Sequence, residues 1–144
     1  NPIIYKKDYK FEIGKSIRLK DGKDITIFCA GAIVSNCLEA AKKLEKKNIS
    51  AQVINMHTIK PLDDTSVIDA CKFSKLIISV EEHNVIGGLG SAIAECISKL
   101  DKSPKLLSIG VNDSYSKGGS YKFLQEKHGL SPDKIVENVI NNLK

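Results

Sequence analysis

The strongest constraint on this chain's fold is a repeating alternation. Short, almost continuously apolar runs are separated by stretches with helical spacing. Ile25-Thr26-Ile27-Phe28-Cys29-Ala30 reads as a strand covered on both faces, because a half-exposed strand would alternate apolar and polar residues. Gly31 ends it, and Ile33, Val34, Cys37, Leu38, Ala41 and Leu44 recur with the period of one helix face. The pattern continues with a strand over Ala51 to Asn55, a helix from about Asp64 to Phe73 after Pro61, and a buried run from Leu76 to Val80. A helix starting near Gly90 and carrying Leu89, Ile93, Cys96, Ile97 and Leu100 follows, then a strand from Leu106 to Ile109. Units of this kind force right-handed crossovers, so a three-layer α/β/α domain around a mostly parallel sheet is expected.

Two helices close the chain. The first is expected to stop at His128-Gly129-Leu130, where Gly129 takes a left-handed cap and Leu130 folds back onto the helix. Ser131-Pro132-Asp133 supplies the second with a cap, a first-turn proline and an acid suited to the helix dipole. Ile135, Val136, Val139, Ile140 and Leu143 form its buried stripe. Ahead of the repeat, Ser16-Ile17-Arg18-Leu19-Lys20 alternates like an edge strand, and Asp21-Gly22 reads as a tight turn. That turn suggests an antiparallel partner, which local sequence does not identify. Residues 1–15 read as a linker and residues 16–144 as the domain. The start, Asn1-Pro2-Ile3-Ile4-Tyr5, has neither Met nor a signal pattern and reads as a cut inside a longer polypeptide.

Composition removes several function classes. Lys and Arg total 22 against 17 Asp and Glu, a net charge of +5, yet Arg18 is the one arginine. Short lysine pairs such as Lys6-Lys7 and Lys42-Lys43, with few aromatics beside them, read as a solvated surface, so no nucleic-acid partner is expected. No apolar run approaches the roughly 18–20 residues of a membrane span. The four cysteines, Cys29, Cys37, Cys71 and Cys96, are far apart, each within an apolar stretch. They read as buried free thiols in a reducing cytoplasm, not as a zinc site or a disulfide framework.

In an open α/β sheet, functional groups collect at the carboxyl ends of the strands. Four post-strand segments qualify: Ala30 to Ala32, His57 to Asp63, Glu81 to Gly90, and Gly110 to Asp113. In the third, a buried strand delivers Glu81, Glu82 and His83, then Gly87, Gly88 and Gly90 at a helix start. Such a start can turn backbone N–H groups toward an anion. It is neither a Walker loop nor a full dinucleotide fingerprint, since Ile93 stands where that fingerprint needs a small residue. The competing reading is close helix–sheet or subunit packing at the glycines, with a local Glu82–His83 hydrogen bond. His57 lies on the same rim, where it is either a functional group or a loop histidine fixed by a backbone carbonyl. His128 and Asn112-Asp113 read as helix-end and turn residues. No Ser–His–Asp spacing, HExxH or ligand cluster is present, too thin an inventory for a self-contained enzyme.

The segment Ile77-Ile78-Ser79-Val80-Glu81-Glu82-His83-Asn84-Val85-Ile86-Gly87-Gly88-Leu89-Gly90-Ser91-Ala92 closely resembles the hallmark of the C-terminal domain of transketolase-type thiamine diphosphate enzymes. Ile59-Lys60-Pro61-Leu62-Asp63, Ile13-Gly14-Lys15-Ser16, Asp21 to Ile27, Gly110 to Asp113 and His128 to Ser131 resemble further segments of that family, in its order. Ala30-Gly31-Ala32 departs from it, since relatives often carry Gly-Ser there. The resemblance implies a five-stranded mixed sheet whose first strand runs antiparallel. It implies that thiamine diphosphate and Mg are bound mainly by preceding diphosphate- and pyrimidine-binding domains, in the same polypeptide or a separate subunit, with no cofactor site in this chain. Residues 1–15 would then be the linker from such a domain.

The resemblance further implies an assembly or dimerisation domain, inactive alone, of a homodimeric enzyme that moves a two-carbon ketol unit between sugar phosphates. Glu82 and His83, with Gly87, Gly88, Gly90 and His57, are the candidates for supporting or interface contacts. Deoxyxylulose-phosphate synthase and the thiamine-dependent component of 2-oxoacid dehydrogenases share the domain and are the alternative parents. A regulatory module that receives an anion at Gly87–Gly90, or a pure oligomerisation element, would be readings of a different class.

Overall fold

The computed structural model describes residues 2–5, 9–116 and 118–143. In chain order the elements are β1 (Ile17–Lys20), β2 (Ile25–Cys29), α1 (Val34–Glu45), β3 (Ala51–Asn55), α2 (Asp64–Cys71), β4 (Leu76–Asn84), α3 (Leu89–Ile97), β5 (Lys105–Val111), α4 (Tyr121–Lys127) and α5 (Pro132–Asn142). The strands lie in the order β1-β3-β2-β4-β5. All pairs are parallel except β1 with β3, where Ile17 faces Asn55. The antiparallel first strand implied by the resemblance is therefore present, at the sheet edge.

Successive residues of a strand point to opposite faces, so each central strand feeds two cores. Ile25, Ile27, Val53, Ile78 and Val80 join Cys37, Leu44, Ile135 and Val139 in a layer under α1 and α5. Phe28, Ile54 and Ile77 pack with Val67, Leu89 and Ile93 under α2 and α3. This is the expected three-layer α/β/α arrangement. Cys29, Cys37 and Cys96 are buried as expected, while Cys71, near the end of α2, is only half-buried.

The layering follows from connectivity. The chain runs from β2 through α1 to β3, then crosses back through α2 to β4 and onward through α3 to β5. Right-handed crossovers in opposite directions put their helices on opposite faces. The reversal falls between β2 and β4, which opens a crevice at their carboxyl ends.

Three local expectations need correction. Asp21-Gly22 is not a hairpin turn, because β3 lies between β1 and β2. The chain instead passes hard against the start of β3, where a Cβ on Gly22 would come within 2.1 Å of Gln52 N. Next, β4 runs four residues beyond Val80, so Glu81 to Asn84 belong to the strand and not to a loop. Likewise Gly110 and Val111 end β5. The overhang forms because β4 shifts register after Val80 and pairs with β5 again at Asn84 and Val111.

The C-terminal expectations hold. Gly129 has φ +74°, and Gly129 N and Leu130 N donate to Glu126 O and Gln125 O at 3.2 and 2.7 Å. Leu130 is buried and Ser131 caps α5. Within residues 1–15, Gly14 N donates to Thr58 Oγ1 at 3.0 Å, and Tyr5 hydrogen-bonds Asn55 through its hydroxyl. Lys6, Lys7 and Asp8 lie outside the described residues.

Candidate functional site

The crevice at the β2–β4 reversal has a volume of about 360 Å³, walled by Ala30–Ala32, Ile59, Glu81–His83, Gly87 and Gly88. The overhang of β4 decides what faces it. Glu81 continues the buried run and is 4% exposed, whereas Glu82 and His83 are exposed. Glu81 Oε2 accepts from Leu89 N at 2.7 Å and Oε1 from Gly90 N at 2.9 Å. A carboxylate from the sheet thus occupies the first-turn donors of α3, where the helix dipole favours negative charge. The anion expected at this glycine-rich start is the protein's own, and those two donors are closed to an effector.

Glu82 and His83 do not form the expected local hydrogen bond. Alternation along the strand sends them opposite ways. Glu82 Oε1 accepts from Gln125 Nε2 at 3.0 Å and from the Tyr121 hydroxyl, so it ties the overhang to α4. Partial desolvation of a hydroxyl whose ring stays largely exposed, together with the adjacent Glu82 carboxylate, pushes the Tyr121 phenol up to about 12. His83 sits on the Glu81 side, its Nδ1 3.9 Å from Glu81 Oε2 and 2.8 Å from Asn84 O. Its side chain is 62% exposed, so its ring is presented at the mouth of the crevice.

The glycines divide by role. Gly87 turns the loop with φ +81°. Gly88 presses on the Glu81 carboxylate, and a Cβ on Gly90 would lie 2.7 Å from both Ser79 Oγ and Ser108 Oγ. Close helix–sheet packing is therefore a real function of Gly88 and Gly90, as one of the two sequence readings held.

His57 does not line the crevice. Its ring packs at a tilt against Phe11 with centroids 4.5 Å apart, and both ring nitrogens are buried with no hydrogen-bond partner among the described residues. Among the described residues no backbone carbonyl fixes it, contrary to that expectation. His128 ends α4 and hydrogen-bonds Ser116, while Asp113 accepts from Asn84 Nδ2 at 3.3 Å.

Sequence reading passed over Glu81 and Asp63 as structural centres. Asp63 Oδ1 accepts from Ser66 N at 3.3 Å and so caps α2; Oδ2 takes both Ser16 N and Ser16 Oγ at 2.8 Å. Burial raises the Asp63 carboxyl, but the Ser16 and Ser66 hydrogen bonds more than offset it and leave it below the usual value. The signal for Glu81 was available: an acid ending a buried run, shortly before a glycine-rich helix start. Asp63's tie to Ser16 is long-range and had no local signal.

The residues here do not fit a thiamine diphosphate cradle. The crevice wall offers carboxylates and no lysine or arginine, and its helix-start donors are taken. Among the described residues no group of three or more His, Cys, Asp or Glu side chains could hold a metal ion. Burial pushes the thiols of Cys37, Cys71 and Cys96 up, Cys96 to about 11, so at neutral pH they are not thiolate nucleophiles. Among the described residues no helix is long and apolar enough to cross a membrane.

Comparison with known proteins agrees with this architecture. The family described as "Transketolase, C-terminal domain" matches residues 14–135. A protein named as a transketolase C-terminal section from Methanocaldococcus jannaschii is 38% identical over 99% of this chain and 45% of its own length. A 6-deoxy-6-sulfo-D-fructose transketolase subunit of a Clostridium species is 39% identical over 88% of the chain and 39% of that protein. The 1-deoxy-D-xylulose-5-phosphate synthase of Dictyoglomus thermophilum is 36% identical over 94% of the chain and 22% of the enzyme. Among solved structures, one described as "Split gene transketolase, inactive beta4 tetramer" superposes with a TM-score of 0.89 at 37% identity, covering 99% of this chain and 45% of that one. The chain spans less than half the length of these relatives. With a five-stranded mixed sheet and a family match over most of its length, the chain belongs to the transketolase C-terminal domain family.

Proposed function

We propose that residues 16–144 are the assembly domain of a transketolase-like enzyme, joined through residues 1–15 to a preceding domain. The parent enzyme transfers a two-carbon ketol unit between sugar phosphates. Thiamine diphosphate and Mg²⁺ sit in preceding diphosphate- and pyrimidine-binding domains, in the same polypeptide or a separate subunit, and the enzyme is a cytoplasmic homodimer. Within it, the rim formed by Glu82, His83 and the Gly87–Gly90 loop makes supporting contacts at the interface with those domains.

The observation that carries this reading is the saturation of Glu81 by Leu89 N and Gly90 N. The anion-binding donors at the sheet's natural ligand crevice are taken from within, which leaves the exposed rim for contact with other polypeptide. Relatives named as transketolase subunits support a partner-dependent chain. A neighbour whose name describes an inactive tetramer of β chains supports self-association without activity.

Isothermal titration with thiamine diphosphate and Mg²⁺ tests this directly. The chain alone is expected to give no binding heat and no ketol transfer, and both to appear once the preceding domains are supplied. Tight cofactor binding by these 144 residues overturns the proposal. A second reading, a deoxyxylulose-phosphate synthase parent, is favoured by the 36% identity to that enzyme. Formation of 1-deoxyxylulose 5-phosphate by the restored protein, in place of ketol exchange, would select it.

A further inference from the structure

We propose that the described residues 112–116 and 118–128 belong to an arm that opens as a unit from the strand ends, and that Glu82 is the latch that holds it shut. The inference stands without the functional reading above, because it rests on burial and hydrogen bonding alone. Between Gly110 and Leu130, both buried, no described residue is buried. Helix α4 contributes no residue to either core cluster, and Tyr115, Tyr121 and Phe123 all stand exposed. Buried apolar surface is what forces a segment to open only with the whole fold, and this arm has almost none.

Polar ties hold it instead. Tyr121 from the first turn of α4 and Gln125 from its second both donate to the same oxygen, Glu82 Oε1. One turn of helix separates the two donors, which places them on one face. A further tie, from Asn84 Nδ2 to Asp113 Oδ1, starts on the same overhang of β4. The Ser116–His128 hydrogen bond joins the two ends of the arm to each other, and so favours its motion as one piece. At the far boundary the left-handed Gly129 separates the arm from Leu130, whose carbonyl is fixed by Asn36 Nδ2 at 2.9 Å.

Glu82 is thus a positioning residue, distinguishable from one that only supports the fold by where its loss is felt. Native-state hydrogen exchange on this chain reads that directly. In the wild type, amides at 124–128 are expected to exchange through an opening that leaves α1, α3 and α5 protected. Glu82→Ala removes the acceptor of both bonds and should raise their exchange about ten-fold or more, the loss expected for even one hydrogen bond to a charged acceptor, without changing the other helices. Glu82→Gln keeps an acceptor oxygen and should fall between, as should Tyr121→Phe. If α4 exchanges only together with α5 in the wild type, there is no separate arm. If Glu82→Ala and Glu82→Gln leave α4 unchanged, or raise exchange equally everywhere, Glu82 is not its latch.

Discussion

Glu81 and Gly88 compete for one space: a Cβ built on Gly88 would lie 1.9 Å from Glu81 Oε2 and 2.7 Å from Glu81 Cδ. The carboxylate cannot swing aside freely, because Leu89 N and Gly90 N hold both oxygens. The motif's acid and its second glycine are therefore one device, which seats α3 against the sheet. Gly88→Ala should cost about 1–3 kcal/mol through overpacking and a weakened cap. In Glu81→Ala the same change should cost much less, giving a coupling above about 0.5 kcal/mol between the two sites. Urea denaturation of the four-member cycle measures this, and additive losses would mean that the contact is not shared.

Asp63 makes stability depend on pH. Its hydrogen bonds to Ser16 and Ser66 hold the folded carboxyl below the ordinary value of 3.8. A depressed carboxyl contributes stability that is present above the unfolded value and lost as pH falls through the folded one. Asp63→Asn should cost about 1 kcal/mol at pH 7, as a weakened cap does, with little more from charge because the group is largely solvated. The gap between wild type and variant should narrow below about pH 4, near the unfolded carboxyl value. Urea midpoints at pH 7 and pH 3 check this; a gap constant with pH would assign the effect to shape alone.

Most of the fold was legible because strands buried on both faces leave unbroken apolar runs. Ala51–Asn55 was placed to the residue, and Ile25–Cys29 within one. The overhang of β4 was not, since Glu81-Glu82-His83-Asn84 is polar and extends only because β5 pairs with it again at Val111. A ladder formed by another strand leaves no periodicity in the first. The site divides the same way. The helix start and its glycines could be read locally, yet the partners of Glu82 lie 39 and 43 residues away. Nor could local pattern show that the anion at the helix start is Glu81 and not a ligand. The family resemblance supplied the direction of β1 but not its neighbour β3, because an edge strand's own sequence does not name the strand it pairs with.

His57 makes an unusual prediction, that removing a polar group does no harm. Among the described residues both buried ring nitrogens lack a partner, so none of these offsets their desolvation with a hydrogen bond. His57→Phe keeps a ring against Phe11 and removes that cost. Thermal unfolding should show a variant within about 0.5 kcal/mol of wild type, or more stable by up to about 1 kcal/mol. A loss above that range would reveal a hydrogen bond that the ring makes in solution.

The strongest consequence of the internal cap is that a ligand site should appear when it is removed. In Glu81→Ala the N–H groups of Leu89 and Gly90 lose their acceptor while the dipole of α3 remains. The variant should be less stable than wild type by about 2–3 kcal/mol, the cost of leaving buried donors unpaired and a cap lost. Sulfate or phosphate can enter the vacated space and accept from the same donors, as anions do at open helix starts. Thermal unfolding should then show a concentration-dependent rise with sulfate in Glu81→Ala well above that in wild type. The comparison with wild type removes the general stabilisation that sulfate gives by exclusion from protein surfaces. Saturable binding follows a logarithmic dependence on free anion, which separates it further from that linear effect. Equal sulfate responses in the two proteins would show that Glu81 is not the anion this helix start was built around.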